Sequence, residues 1–383
     1  MTRLLLVAQP PVAGVPRHVL DVVEELGAED FDVTVACPPD SFLWHELRAH
    51  PDVRLAPFTS RREPHLSDIA WMLRLVRLVR DSDVVHAHSS KASWVVRAAA
   101  LIAGRRSSCV VTPHAWSFWA LSGVRRRAVV ALERLAARAC AAIIVVSRHE
   151  QEEGLRLGIG RAAQYRLIRN GVDLKRYAID GRPDPDVVLM VGRLSPQKRP
   201  ELAVRALELA RRRRPAMRLV IVGDGALENA VVELARDIGV AEATQLLGSR
   251  DDVPDLMTGA GCVLVTSAYE GCSLVILEAM AAGVPVVAVR TGGIDEVVEH
   301  GVTGLVCGED PESVAAALVN LANDPAMARR LGTAARRRAR EHYSRRRMAR
   351  HLAALYGSIA APGKRRDSVF RRWAERARTS VPA

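Results

Sequence analysis

Glu270 and Glu278 close the two ends of Glu270-Gly-Cys-Ser-Leu-Val-Ile-Leu-Glu278, with seven residues between the carboxylates. An apolar run, Gly261–Ser267, precedes them, and an apolar, alanine-rich run leads on to Gly283. The order reads as strand, loop, helix. A helix beginning near Ser273 leaves its first amides without intrahelical partners. Those amides carry the positive end of the helix dipole and form an anion site. Gly271 lets the backbone come close to a phosphate. Glu270, at the mouth of the loop, can accept hydrogen bonds from hydroxyls, and Glu278, about 1.5 turns into the helix, can hold a second polyol. The layout suits a sugar joined to a diphosphate. On residue type and spacing alone, a surface glutamate followed by an ordinary helix glutamate fits equally well.

Other strand ends carry further chemistry. In Val191-Gly-Arg193-Leu-Ser-Pro-Gln-Lys198, an arginine fork and a lysine share one strand-to-helix loop. Together they suit a diphosphate, although two solvated cations are common in so basic a chain. Gly14 follows the first apolar run and is either a phosphate-approach glycine or a turn glycine. His114 ends another run, in Thr112-Pro-His-Ala-Trp-Ser-Phe-Trp119, where it could contact a reacting sugar. The aromatics beside it form an acceptor wall, a membrane-facing loop or plain core. His86-Ala-His88 has metal-ligand spacing, but no carboxylate or cysteine set joins it, so a structural or acceptor-contacting role is preferred. Gly223-Asp-Gly225 begins like a dinucleotide fingerprint, yet Glu228 stands at the third glycine position, which leaves a strand-ending turn.

These loops need strands to end on. Short apolar runs alternate with amphipathic helical patterns throughout, which predicts parallel sheets with helices on both faces. One strand series covers Leu4–Ala8, Val33–Cys37, Val84–Ala87, Cys109–Thr112 and Ile143–Val146. A second covers Val187–Val191, Arg218–Val222, Gln245–Leu247, Val263–Thr266, Val286–Ala288 and Leu305–Val306. The pattern restarts near residue 186, after a turn-rich stretch holding Gly181, Pro183 and Pro185. The fold class expected is α/β, with doubly wound domains at 1–172 and 187–344, a linker at 173–186, and ligands at the strand ends in a cleft between the domains.

With 383 residues, 49% of them hydrophobic, the chain can build two packed cores. Its net charge of +12 is almost all arginine, the lysines being Lys91, Lys175, Lys198 and Lys364. Such charge favours phosphorylated ligands or an anionic membrane surface. The six cysteines contain no Cys-x-x-Cys and read as core thiols rather than disulfides or a zinc site. The first apolar run is short for a signal peptide, and no run reaches the roughly 20 residues of a spanning helix, so a cytoplasmic location is expected. The basic tail, 363–383, carries Val369, Phe370 and Trp373 and is either disordered or interfacial.

In order along the chain, these pieces resemble the retaining glycosyltransferases of family 4, with the GT-B architecture. The matching segments are Gly192-Arg193 with Lys198, Gly223-Asp-Gly225, Gly248-Ser-Arg-Asp-Asp-Val253, Glu270 through Gly283, Thr291-Gly-Gly-Ile-Asp-Glu296 and Gly301-Val-Thr-Gly-Leu305, preceded by Ser147 and Asn170-Gly-Val-Asp173. The resemblance spans roughly residues 3–360 and implies an acceptor-binding first domain and a nucleotide-sugar-binding second domain. It assigns the donor diphosphate to Arg193 and Lys198, sugar hydroxyls to Glu270 and the ribose to Glu278. Sugar and phosphate fall to the amides of Gly271, Cys272, Ser273 and Leu274. It further implies a phosphate contact at Gly14, a histidine near the anomeric carbon at His114, and a base-side segment at Arg250 and Val253. It implies no metal and no cofactor, because Arg, Lys and the helix dipole carry the diphosphate charge. A final helix over residues 345–362 would return to the first domain.

Two departures from the family pattern stand out. Ala13-Gly14 replaces the usual Gly-Gly, and Arg199 follows Lys198 where glycine is usual. His86–Lys91 and Pro113–Phe118 most resemble members that build exopolysaccharides on polyprenyl-linked carriers. The expected partners are therefore a nucleotide-sugar, with UDP-sugar first, and a glycan, polyprenyl-linked or small-molecule acceptor. Peripheral membrane contact is a further expectation, through Arg74, Arg77, Arg80 and Arg125–Arg127. A non-catalytic scaffold of the same fold is the competing reading, opposed by the intact charged set. Nucleic-acid binding is disfavoured by the dispersed charge, and NAD binding by the missing fingerprint.

Overall fold

The computed structural model describes residues 1–9, 14–27, 30–59, 67–179 and 181–361. The chain forms two compact units. Unit 1 comprises Met1–Val146, Glu150–Arg169 and the chain from Arg346 on, and unit 2 comprises Ser147–His149 and Asn170–Arg345. Residues 10–13 and the basic tail 363–383 lie outside the described residues.

Unit 1 holds β1 (Thr2–Ala8), β2 (Phe31–Cys37), β3 (Val53–Pro57), β4 (Val84–His88), β5 (Cys109–Thr112), β6 (Ala142–Val145) and β7 (Tyr165–Leu167). Their order is β3-β2-β1-β4-β5-β6-β7, every pair parallel. Unit 2 holds β8 (Asp184–Val191), β9 (Arg218–Val222), β10 (Thr244–Leu246), β11 (Ala260–Val265), β12 (Val286–Val289) and β13 (Gly304–Cys307). Their order is β10-β9-β8-β11-β12-β13, again all parallel.

Parallel strands are covered on both faces, so they read as continuous apolar runs. Alternate residues of β1 show it: Leu5 and Val7 join one core cluster, Leu4 and Leu6 another. All eleven strands expected from such runs are present. The two that the runs did not indicate are β3 and β7, both at sheet edges. β3 is largely half-buried or exposed and ends in Pro57, and β7 has only three residues, so neither carries a buried run. β8 starts at Asp184, inside the turn-rich stretch read as linker, because Asp184 and Pro185 extend the strand alongside β11. Helix Arg345–Ala360 buries Met348, Leu352, Ala353 and Tyr356 against Leu4, Leu6 and Ile144 of the first sheet.

Strand order reverses between β1 and β4 in one sheet and between β8 and β11 in the other. At such a switch point the loops leave in opposite directions and open a crevice at the strand C-termini. The loops after β8 and β11 carry Lys198 and Glu270, while the helix after β1 carries His18, the end of β4 His88 and the chain after β5 His114.

Candidate active site

In unit 2 the loop after β8 and the loop after β11 are tied together. Lys198 Nζ is ion-paired with Glu270 Oε1. Ser267 Oγ donates to the same oxygen at 2.7 Å. Ala268 N donates to Gln197 O at 2.8 Å, and Gln197 Nε2 to Tyr269 O at 3.2 Å. Thr266 Oγ1 donates to Lys198 O at 2.6 Å. Glu270 is buried at 8% exposure, so its carboxylate is held by its partners rather than by bulk water.

Arg199 explains its own departure from glycine. Its backbone is left-handed, φ 48, the conformation in which glycine is at home. Its guanidinium holds the loop in that shape, donating from Nε to Thr266 O at 2.8 Å and from Nη1 to Glu309 at 2.8 Å. The arginine thus replaces conformational freedom with anchoring.

Helix Leu274–Ala282 begins after Ser273, whose side chain makes no capping bond. The first-turn amides are therefore not satisfied by a side-chain cap. Gly271, Cys272 and Ser273 are buried, and Leu274 and Glu278 are half-buried. Asn170 Nδ2 donates to Cys272 O at 2.7 Å. The loop Thr291–Gly293 packs directly beneath: a Cβ on Gly293 would stand 2.1 Å from Gly271 O and 2.3 Å from Glu270 O. Close approach is therefore required at Gly293.

The turn Gly223–Gly225 is structural. At φ +127, a Cβ on Gly223 would lie 2.2 Å from Gly192 O, and one on Gly225 2.3 Å from Leu194 O. Gly223 N donates to Gly248 O at 2.7 Å and Leu194 N to Asp224 O at 2.8 Å, which locks the loops after β8, β9 and β10 together. Arg193, half-buried, lies in the first of these loops. Arg250 is exposed and makes a two-point pair with Asp252, with Nη2–Oδ2 at 2.6 Å, and the pairing holds the Asp252 carboxyl below its usual range. Val253 opens helix Val253–Gly259 beside it.

In unit 1, Gly14 is the first residue of helix Gly14–Glu25 and is exposed. His114 and Ala115 follow β5 with positive φ of 54 and 83. Buried Glu150 supports this turn: Oε1 accepts from Ala115 N, and Oε2 from Val146 N at 2.8 Å. Desolvation holds the pKa of His86, His88 and His114 well below the usual imidazole value, so all three are neutral near pH 7. The aromatic wall is not one. Trp116 and Phe118 are 2% and 0% exposed and stack at 5.4 Å inside the core. Trp116 Nε1 donates to Glu150 O at 2.8 Å, which draws the segment inward.

The residues that sequence reading missed are Ser267, Gln197, Glu150 and His18. Gln197 and Glu150 act on backbone atoms and His18 on rings distant in sequence, while Ser267 acts on Glu270 three positions on; none has a local pattern that would mark it.

Residues 12–176 match the model described as Glycosyltransferase Family 4, and residues 175–338 that of Glycosyl transferases group 1. The chain is 32% identical to a protein named glycogen synthase from Mycobacterium tuberculosis H37Rv, covering 92% of this chain and 94% of that one. It is 29% identical to an Escherichia coli protein named UDP-Gal:alpha-D-GlcNAc-diphosphoundecaprenol alpha-1,3-galactosyltransferase, covering 82% of this chain and 86% of that one. The solved structure of Anabaena HepE with UDP and glucose superposes with a TM-score of 0.80 at 25% identity, covering 94% of this chain and all of HepE.

Proposed function

Because the chain belongs to glycosyltransferase family 4, we propose that it moves a hexose from a nucleotide-sugar, a UDP-sugar first, to a glycan or lipid-linked acceptor with retention at the anomeric carbon. The observation that carries this reading is the Lys198–Glu270 pair at the switch point of the second sheet, beside the uncapped start of helix Leu274–Ala282. The complexes of HepE with UDP and with UDP-glucose support a uridine nucleotide. The name of the Escherichia coli relative supports an acceptor on a polyprenyl diphosphate.

In this mechanism the bond from the anomeric carbon to the diphosphate oxygen breaks, and its electron pair leaves with the phosphate. The acceptor hydroxyl attacks on the same face and gives its proton to the departing phosphate oxygen. Arg193, Lys198 and the amides of Gly271–Leu274 stabilise the charge that develops on the diphosphate. Glu270 orients the sugar hydroxyls and balances the positive charge at the anomeric carbon. Glu278 holds the ribose, and Arg250 and Val253 flank the base. Gly14 and His114 enter from the family resemblance, as phosphate contact and sugar contact. No metal is needed in this scheme.

A lipid-linked acceptor also accounts for the outer face of helix Gly123–Ala136. Val124, Leu132 and Leu135 are 78%, 42% and 62% exposed there, among exposed Arg125, Arg127 and Arg134. An apolar strip flanked by arginines suits an anionic bilayer surface. Among the described residues no helix is long and apolar enough to cross a membrane.

The test is nucleotide release from UDP-, GDP- and ADP-sugars by purified protein, with and without EDTA and a membrane extract. Release from one donor class, undiminished by EDTA, is the expected result. No release, together with no donor binding by calorimetry, sinks the enzyme reading. Binding without turnover favours the non-catalytic scaffold.

A further inference from the structure

The imidazoles at the switch point of the first sheet are of two kinds. His86 is satisfied within the fold: Nδ1 pairs with Tyr356 Oη at 2.6 Å and Nε2 with Thr112 Oγ1 at 2.7 Å. His88, two residues on and on the same side of β4, has a different environment. Its Nδ1 lies 3.1 Å from His114 Nε2, and its Nε2 is buried with no hydrogen-bond partner among the described residues. His18, from the helix after β1, places its ring 4.6 Å from that of His114 and 5.3 Å from that of His88. One nitrogen from each of the three rings lies within 4.8 Å of the other two. The left-handed turn at His114 and Ala115, fastened by Glu150, is the strained element that presents the third ring.

We propose that His18, His88 and His114 form a binding site for a borderline transition-metal cation such as Zn²⁺. Bonds of about 2.0–2.1 Å in tetrahedral geometry set ligand nitrogens roughly 3.3 Å apart. The His88–His114 separation of 3.1 Å is already close to that value. Neutral imidazole is the ligating form. An all-nitrogen set suits Zn²⁺, Co²⁺ or Ni²⁺ and rejects Mg²⁺ and Ca²⁺, which require oxygen. The fourth position is left to water. The cation is not a cofactor for transfer. It occupies His114, and under the function proposed above it therefore inhibits transfer. That consequence rests on the proposed function, whereas the binding itself does not.

The test uses full-length protein stripped with chelator and dialysed against Zn²⁺ or Co²⁺. The expected result is one retained ion per chain, a visible absorption band of four-coordinate Co²⁺, and no retention of Mg²⁺. His114→Ala, at a half-buried position outside the His86 network, and His88→Ala each weaken retention at least tenfold. The exposed control His45→Ala leaves it unchanged. Circular dichroism confirms that the variants fold. Retention by His114→Ala equal to wild type, or none by wild type, overturns the site. Equimolar Zn²⁺ lowers sugar-nucleotide turnover and EDTA restores it. Stoichiometric binding with unchanged turnover overturns the inhibition and the role of His114, while the metal site stands.

Discussion

Lys198 and Glu270, 72 positions apart, meet as an ion pair at the switch point of the second sheet, and Ser267 donates to the same carboxylate oxygen. Their side chains are only 20% and 9% exposed. Each group therefore fixes the other before any substrate arrives. Removing one partner of a sheltered pair leaves the other charged and uncompensated. Glu270→Gln and Lys198→Ala are each expected to lower turnover at least about tenfold, or ~1.4 kcal/mol in the barrier. Steady-state kinetics with the accepted donor measures this, and wild-type rates in both variants refute the site assignment.

The loop at Arg199 separates backbone strain from side-chain anchoring. Arg199→Ala keeps a left-handed residue and loses the bonds to Thr266 and Glu309. Arg199→Gly loses the same bonds but removes the strain, which is worth about 1–2 kcal/mol. The glycine variant is therefore expected to be the more stable of the two by about 1 kcal/mol. Denaturant unfolding measures the gap. Equal stability would show that the left-handed turn carries no strain.

Gly223→Ala tests the locking of three loops. The new Cβ would meet Gly192 O at 2.2 Å at a φ of +127. At Gly239, also left-handed with φ +75, a Cβ meets nothing within 4 Å. Gly239→Ala thus carries the conformational penalty alone. Gly223→Ala is expected to cost at least about 2 kcal/mol more than Gly239→Ala and to weaken nucleotide binding. Melting curves and donor titrations of the two variants decide it.

The thiols predict an alkaline limit to stability. Burial pushes Cys140 up to about 11 and Cys262 up to about 12, one in each unit. In the unfolded chain they ionise near pH 8.5. Above that pH the unfolded state sheds protons that the folded state retains, so stability falls as pH rises, by up to ~1.4 kcal/mol per pH unit for each thiol. The contribution is complete below pH 8.5 and is lost between there and the folded values. Unfolding free energies at pH 8, 9 and 10 check the slope, and Cys262→Ala should flatten it. At pH 8 the native thiols should also resist a disulfide reagent that titrates all six after denaturation.

Buried parallel strands were legible because both faces are covered, so the runs at Val33–Cys37 or Val286–Ala288 need no partner to be recognised. The candidate site was legible as far as polar, chemistry-bearing residues stand after strand ends. Glu270, Lys198 and His114 do so, and the architecture brings strand ends to one edge of a sheet. The partners were not legible. Ser267 reads as the end of a strand and nothing local marks Glu150, yet Glu150 is fully buried and holds the backbone of Ala115 and Val146. For Trp116 and Phe118 the sequence left wall, membrane-facing loop and core open, and burial decides for the core, where a hydrogen bond from Trp116 to Glu150, 34 positions on, anchors the segment.

Tyr356 covers the apolar face of the first sheet together with Met348 and Leu352, although that sheet's strands end at Leu167. Unit 2, by contrast, is almost one continuous stretch from Asn170 to Arg345. On the ribosome, at about 5–20 residues per second, Tyr356 emerges roughly 10–40 s after Ile144. During that interval Leu4, Leu6 and Ile144 lack the part of their cover that Met348, Leu352 and Tyr356 supply, while the later-made unit has its whole stretch of chain. The order of birth and the order of completion are thus reversed. The first-made unit is therefore expected to be the last to close its core.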